Sequence, residues 1–554
     1  MTMAEDIAHY SRTLADLKAQ RLSREGEWQQ IADYFAPRKD FNIAANPAEL
    51  RRRRLTSSVP AVAARRCAGM LAAYLVDPSQ PFIKPNADRG LIAAGRDPGL
   101  DAGARDYLDT VEWAVFDRMM LPKSGWLSAV SRLCLELVTF GTGILWTGRE
   151  RGFGPTYQAR PLRSSWIAEN DRGQVDTVYY EFTLPLWRVF KRWENARLVD
   201  GWADADENAQ QALVTLLHVV EPRKGGEKGA AQLRKPFREA YVCLDKKVVL
   251  EESGYDSFPF SVPRLDVEPG SVYGTGLCWH VLPDAIALSA LQQATENAVD
   301  LRVNPPLLYP ARMFGKALDR RAGAVNAYDA AGLGFQSARE ALQKLEVAGD
   351  ANIGEGYMRL LIQNIEQGLF TDWMRLRESG QMTAEEVIER RELRLRSMSS
   401  FIPGVDRDLM GNAADRTLDV MYAEGQLPTP PESLAGTEVD WDYAGPLARS
   451  QMQRQAEGLG RLFNLALVAQ KLDPSAPYVL AVDEGLRAVA EAYGGPIGTL
   501  RSRKDVEAYR AAQAEREEAA ESLALAQQAA TTARDGGQAI ASLAGAQQTQ
   551  QMAA

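Results

Sequence analysis

The sequence predicts an α+β protein that is mainly helical. Apolar residues recur at helical spacing through the first 140 positions and again beyond 284. Between about 144 and 265 the texture changes to short β-leaning runs separated by Gly, Pro and charged turns. A hydrophobic share of 45% against 25% charged residues disfavours global disorder. No apolar run approaches the ~18 residues that a membrane span needs. With 554 residues, three or four units are expected at about 150 residues each, or one large intertwined fold.

The first helix is expected over about 4–36, where Leu14, Leu17, Trp28, Ile31 and Phe35 share a face and Pro37 stops the run. A basic loop, Arg51 to Arg54, follows. Ser57, Ser58, Val59 and Pro60 then form a helix start, a serine cap followed by an early proline. Its expected apolar face is Val62, Met70, Leu71, Tyr74 and Leu75, ending at Asp77-Pro78. Two more helices are expected over about 101–120 and 124–140, the second closing on Phe140-Gly141-Thr142-Gly143.

Strands are expected at Ile144–Thr147, Val175–Thr183, Leu213–Val220 and Glu239–Leu244, mostly antiparallel. Helix returns at about 284–303. There Ala287, Leu291, Ala294, Ala298 and Leu301 make a narrow seam with small residues, suited to close packing against a helix of the same chain or of a neighbour. Asn304-Pro305-Pro306 ends it. After some 50 mixed residues a second helix is expected at about 356–376, marked by Met358, Ile362, Ile365, Leu369 and Trp373.

A polar bridge, Arg377 to Met382, leads into a capping box at Thr383–Glu386. A long helix then runs to about 424 with a kink at Pro403-Gly404. From about 505 the chain is rich in Ala, Gln and Glu, able to form helix but not to bury a core alone. A break is expected at Arg534 to Gln538.

Charge and motif content exclude several functions. With 64 Lys and Arg against 73 Asp and Glu, the net charge is −9, the wrong sign for a clamp on a phosphate backbone. The four cysteines, Cys67, Cys134, Cys243 and Cys278, show no CxxC spacing and read as reduced, buried thiols. His9, His218 and His280 lie far apart in the chain with no metal-binding spacing. Gly315-Lys316 lacks the first glycine and the Ser or Thr of an ATP-binding loop. Phe140 to Gly143 reads as a tight turn rather than a phosphate cradle. No catalytic residue, cofactor or metal site is assigned. The start lacks a basic region followed by an apolar one, so a soluble cytoplasmic chain with no signal peptide is expected. Residues 371–396 hold six Arg and six acids, a neutral balance that suits a surface along which DNA slides.

Taken in order, several segments resemble the portal, or head-to-tail connector, proteins of short-tailed bacteriophages. They are Trp28 to Pro37, Ala68 to Phe82, Ser124 to Gly143, Phe258 to Gly276, Thr383 to Val387 and Gly425 to Pro431. The resemblance implies a dodecameric ring at one capsid vertex, a channel for double-stranded DNA during packaging, retention and ejection. It also implies terminase, tail or adaptor proteins, and capsid and scaffold proteins as partners, with assembly in the host cytoplasm, no enzyme activity and no membrane. By order, 1–283 resembles the wing, 284–303 the first stem helix, 304–355 the clip and 356–376 the second stem helix. The tunnel loop would be 377–383, the kinked helix and return to the wing 384–450, the crown 451–504, and a C-terminal helical barrel and tail 505–554. The resemblance makes Ala287, Leu291, Ala294, Ala298 and Leu301 a subunit interface. It sets Arg375, Arg377, Ser379, Gly380, Gln381, Met382 and Thr383 toward the channel, with the two arginines as phosphate contacts. Two rival readings are a scaffold or internal virion protein, favoured by the Ala/Gln-rich end, and a packaging nuclease–ATPase, disfavoured by the missing phosphate loop.

Overall fold

The computed structural model describes residues 3–37, 39, 41, 57–87, 102–202, 206–223, 235–310, 319, 321–328, 343–344, 351–371, 402–434, 439–443, 446–469, 480–493 and 503–551. The basic loop at Arg51–Arg54, Trp373, the bridge at 377–382 and the capping box at Thr383–Glu386 lie outside them. The chain forms two compact units. One comprises Met1–Lys84, Ala114–Pro428 and Trp441–Ala448; the other comprises Pro85–Trp113, Thr429–Asp440 and Arg449–Ala554.

In the first unit, α1 (Met3–Phe35) lies on a five-stranded antiparallel meander. Its strands are β3 (Ser165–Glu169), β4 (Val175–Pro185), β5 (Leu213–Pro222), β6 (Phe237–Cys243) and β7 (Val248–Tyr255), adjacent in chain order. The two-residue period sorts their side chains to opposite faces. Trp166, Tyr179, Leu217, Val219, Ala240 and Val242 meet Ile7, Tyr10, Leu14 and Leu17 of α1. Leu216, Tyr241, Cys243 and Leu250 point the other way, onto Leu186, Val189 and Phe190 of α5 (Leu186–Arg192) and onto Trp193 and Trp202. Both faces are covered, and the middle strands β5 and β6 read as near-continuous apolar runs. Each large side chain buried this way contributes about 2–3 kcal/mol.

A second, three-stranded sheet pairs β1 (Ile144–Glu150) with β2 (Gly154–Arg160) and β8 (Phe260–Ser261), all antiparallel. Strands β2, β3 and β7 escape the sequence pattern. Gly154-Pro155 opens the first, the second is five residues long, and Glu251 to Gly254 gives the third the look of a turn. Pairing with neighbours outweighs these weak local preferences.

Helix α2 (Val59–Leu75) begins where expected, with proline in its first turn, but Ser58 makes no side-chain cap. Its buried face is the small-residue one, Ala63, Ala64, Cys67, Ala68, Leu71, Tyr74 and Leu75, whereas Val62 is exposed and Met70 half-buried. The reason is its partner. It packs closely on α4 (Trp126–Phe140), which the small residues permit. Helix α3 (Ala102–Met120) precedes α4, as expected.

Helix α6 (Leu282–Val303) packs against α7 (Ala351–Gly368). Helix α7 ends at Gly368, not at 376. Leu369 and Phe370 form a turn in which Phe370 takes φ +55° and Thr371 N–H returns to the Glu366 carbonyl (2.7 Å). Between the two helices, β9 (Leu307–Pro310) pairs parallel with β10 (Val325–Tyr328) and antiparallel with β11 (Gln343–Lys344). Pro403 and Gly404, where an interruption was expected, are themselves helical in a turn over Ile402–Val405, and a π-helical turn, Asp406–Gly411, follows before α8 (Asn412–Ala423).

In the second unit, Ala87, Ala104, Leu108 and Leu434 form a small core. The unit also carries α9 (Pro446–Ala469), α10 (Val482–Ala492) and α11 (Arg503–Gln551). The last is one unbroken helix of 49 residues. The break expected at Arg534 to Gln538 is absent, because Gly536 and Gly537 cost about 1 kcal/mol each and alanine-rich flanks absorb that cost.

Candidate functional site

The foot of α6 is built from two Gly-Thr-Gly turns. Helix α4 ends in Phe140-Gly141-Thr142-Gly143, where Gly141 takes φ +82° and its N–H bonds back to the Leu137 carbonyl. The second turn, Tyr273-Gly274-Thr275-Gly276, runs across it. Leu265 N–H donates to the Gly141 carbonyl (2.8 Å), Thr275 N–H to the Leu265 carbonyl (2.9 Å) and Gly274 N–H to Thr142 Oγ1 (3.0 Å). Backbone touches backbone. A Cβ on Gly141 would sit 2.4 Å from the Thr275 carbonyl carbon, one on Gly274 2.2 Å from the Leu265 oxygen, and one on Gly276 2.5 Å from the Thr139 oxygen. The first motif is therefore a packing turn, as its sequence suggested, and its partner is the second.

Two buried arginines brace this junction to the large sheet. Arg264 donates to Glu169 Oε2 (2.8 Å) and to the carbonyls of Val272 (2.7 Å) and Gly173 (2.6 Å). Arg21 donates to the carbonyls of Leu162, Ser165 and Arg163 and pairs with Glu25, its guanidinium 4.5 Å from the Trp166 ring. Charge-assisted bonds of this kind are the stronger class. A signal for Arg21 existed: Tyr10, Leu14, Leu17 and Arg21 share one helical stripe, so the charge had to meet the core.

Immediately beyond the turns, Leu277–His280 makes one helical turn and α6 begins. Gly368, the end of α7, abuts Val281 so closely that a Cβ would lie 2.3 Å from Val281 Cγ1. Both long helices are thus gathered at one point. Near it α6 buries Leu282, Ala285 and Leu288, while α7 buries Leu361 and Ile365 and the turn after it buries Leu369. The outer part of α6 is open. Ala287, Leu291 and Leu301 are half-buried, Ala294 and Ala298 are exposed, and Val299 and Val303 are exposed as well. The predicted seam is thus not packed within the chain over its outer part. Arg375, Arg377, Ser379, Gly380, Gln381, Met382 and Thr383, expected to face the channel, lie outside the described residues.

Of the three histidines, His218 gathers an acid and hydroxyls around it. Its Nε2 donates to Glu239 Oε1 (2.9 Å), and the hydroxyls of Ser253 and Tyr255 donate to the same carboxylate. The group is sealed. His218 stacks on Tyr241 at 4.4 Å, with Trp146 and Phe260 against it. Burial raises the Glu239 carboxyl, but the donors around it outweigh this and hold it down at about 2. Burial likewise lowers His218 below its ordinary value and leaves the ring neutral. This is a core brace, not a hydrolytic triad. His9 bonds Glu221 at the sheet.

The cysteines are free and buried, and burial pushes the Cys67 thiol up to about 12. At the π turn, Asp406 has a buried oxygen without a hydrogen-bond partner, and burial pushes its carboxyl up to about 7. No group of three or more metal-binding side chains occurs among the described residues.

Long helices gathered at one foot and braced to a sheet form a scaffold. The chain belongs to the bacteriophage head to tail connecting protein family, which it matches over residues 8–500. It is similar to the portal protein of Salmonella phage epsilon15, 24% identical over 537 residues that cover 94% of each chain. To the probable portal protein of Bordetella phage BPP-1 it is 24% identical over 533 residues, covering 93% of each. Among solved structures it aligns with a chain of "Neck of empty GTA particle computed with C6 symmetry", with a TM-score of 0.34 and 12% identity, over 73% of this chain and 86% of that one.

Proposed function

We propose that this chain is the portal subunit of a tailed bacteriophage. Twelve copies would close a ring at one capsid vertex, through which double-stranded DNA is packaged, retained and ejected. Terminase docks on the ring during packaging, and tail or adaptor proteins replace it. The observation that carries the reading is the co-linear match to a portal protein over 94% of both chains.

The exposed outer part of α6 supports it. A closed ring needs heterologous interfaces, each subunit presenting two different faces. Ala294 and Ala298 are exposed in the single chain and offer a flat strip on which a neighbouring helix can pack closely. In this reading α6 and α7 are the stem and the sheet between β9 and β11 is the clip. Residues 377–383 form the tunnel loop, in which Gly380 gives backbone freedom, Ser379, Gln381 and Met382 brush the duplex, and Thr383 anchors the far side. Arg375 and Arg377 touch phosphates.

Negative-stain microscopy of the purified chain tests the class, the expected image being a ring with a DNA-wide hole. Ala294→Glu and Ala298→Glu should block assembly without unfolding the subunit, since an unpaired carboxylate buried at the interface costs several kcal/mol. A monomer by light scattering for the unmodified chain, or unchanged assembly of both variants, would count against the proposal.

A further inference from the structure

We propose that α5 and the end of β4 form a docking recess for an acidic segment of another protein, one that presents carboxylates beside an apolar side chain. Leu184, Trp187, Arg188, Lys191 and Arg192 line an open recess of about 530 Å³ on the first unit. Helix α5 turns Leu186, Val189 and Phe190 into the core, so its helical period leaves Trp187, Arg188, Lys191 and Arg192 together on the outer side. Several cations elsewhere in this unit pair with acids, as in Lys18–Glu181, Arg238–Asp6 and Arg264–Glu169.

Here the two arginines rest on rings instead. The Arg188 guanidinium lies 5.1 Å from the Trp187 ring centroid, and that of Arg192 lies 4.5 Å from both Trp193 and Tyr241. Among the described residues none of Arg188, Lys191 and Arg192 forms an ion pair with a carboxylate. Stacking covers the face of a guanidinium and leaves its N–H edge for an acceptor, which a carboxylate fits bidentately.

A peptide suits the recess better than DNA does. Glu194 is exposed just beyond the cations, and Asp206 lines the opposite side of α5. The positive field is therefore short, enough for a few carboxylates and not for a run of phosphates. Leu184 and the 38% exposed Trp187 supply an apolar floor that a phosphate backbone does not use.

The test uses the full-length protein and a fluorescein-labelled peptide of alternating glutamate and phenylalanine, read by anisotropy. Controls are the same peptide with glutamine for glutamate and a short DNA duplex. The glutamate peptide should bind at micromolar concentration, and the glutamine peptide at least about tenfold more weakly. Arg188→Glu with Lys191→Glu should lower peptide affinity by a further factor of about ten or more, and Arg188→Gln with Lys191→Gln should do so to a smaller degree. All four changes are at exposed positions, so melting and assembly should stay unchanged. No peptide binding at millimolar concentration, or equal binding by the charge-reversed variant, would overturn the proposal. So would a duplex that binds more tightly than the peptide and is lost in the same variant.

Discussion

Gly141 and Gly274 place the tightest demand on any single residue. At Gly141 a methyl group would meet the Thr275 carbonyl carbon at 2.4 Å, in a left-handed conformation that already disfavours alanine. Gly141→Ala is expected to destabilise the chain by about 3 kcal/mol or more. Gly152 shares the positive φ but has no neighbour within 4 Å, so Gly152→Ala should cost only about 1 kcal/mol. Chemical denaturation of the two variants checks the contrast. Glu239 brings pH into play. Its folded carboxyl is held at about 2, below its unfolded value, so its stabilisation is complete above the unfolded value and drains away as pH falls toward 2. His218, lowered by burial, works in the same direction, starting below its unfolded value near 6.5. Asp406 opposes them. Its raised carboxyl favours the folded state below the unfolded value, and that contribution is lost as pH rises through about 7. Glu239→Gln should therefore cost about 2–3 kcal/mol at neutral pH and flatten the acid limb of a stability profile. Asp406→Asn should raise stability by about 1–2 kcal/mol at pH above 7 and leave it unchanged in acid.

Among the elements, the outer part of α6 and α11 share one trait, a surface left largely exposed among the described residues. Most of a helix's stability comes from an apolar face packed on something, and a bare helix is marginal. Helix α11 extends roughly 70 Å at 1.5 Å per residue, and its large apolar side chains Leu523, Leu525 and Ile540 are 62%, 64% and 71% exposed. It calls for neighbours. Truncation after residue 504 should leave the rest of the chain folded and able to assemble, while altering DNA retention or ejection. Size-exclusion chromatography with light scattering reads the first outcome, and genome release from assembled particles reads the second. Loss of assembly on truncation would show that α11 helps to close the ring. The exposed Leu462, Leu465, Leu467 and Val468 of α9 follow the same logic.

At the scale of the whole molecule, the proposed channel makes the sharpest demand. Deleting Ser379–Gln381 should leave ring assembly intact and reduce the yield of filled heads; normal filling would remove the loop from the pore. Much of the architecture was written locally. The helical stripes gave α1, α3, α4 and α6, because spacing acts over one or two turns. Alanine-rich composition likewise announced helix without a core, though not its continuity past Arg534. Where partners lie far apart in the chain, sequence was silent or wrong. The small-residue face of α2 was chosen by α4, the strands β2, β3 and β7 by their neighbours, and the end of α7 by the approach of Gly368 to Val281. Both Gly-Thr-Gly motifs were visible as motifs, yet 132 residues separate Gly274 from the Thr142 hydroxyl that receives its N–H. Spacing along a chain determines which face a residue occupies. Only the folded chain determines what that face meets, because burial and hydrogen bonding at these junctions are set between segments that no local pattern links.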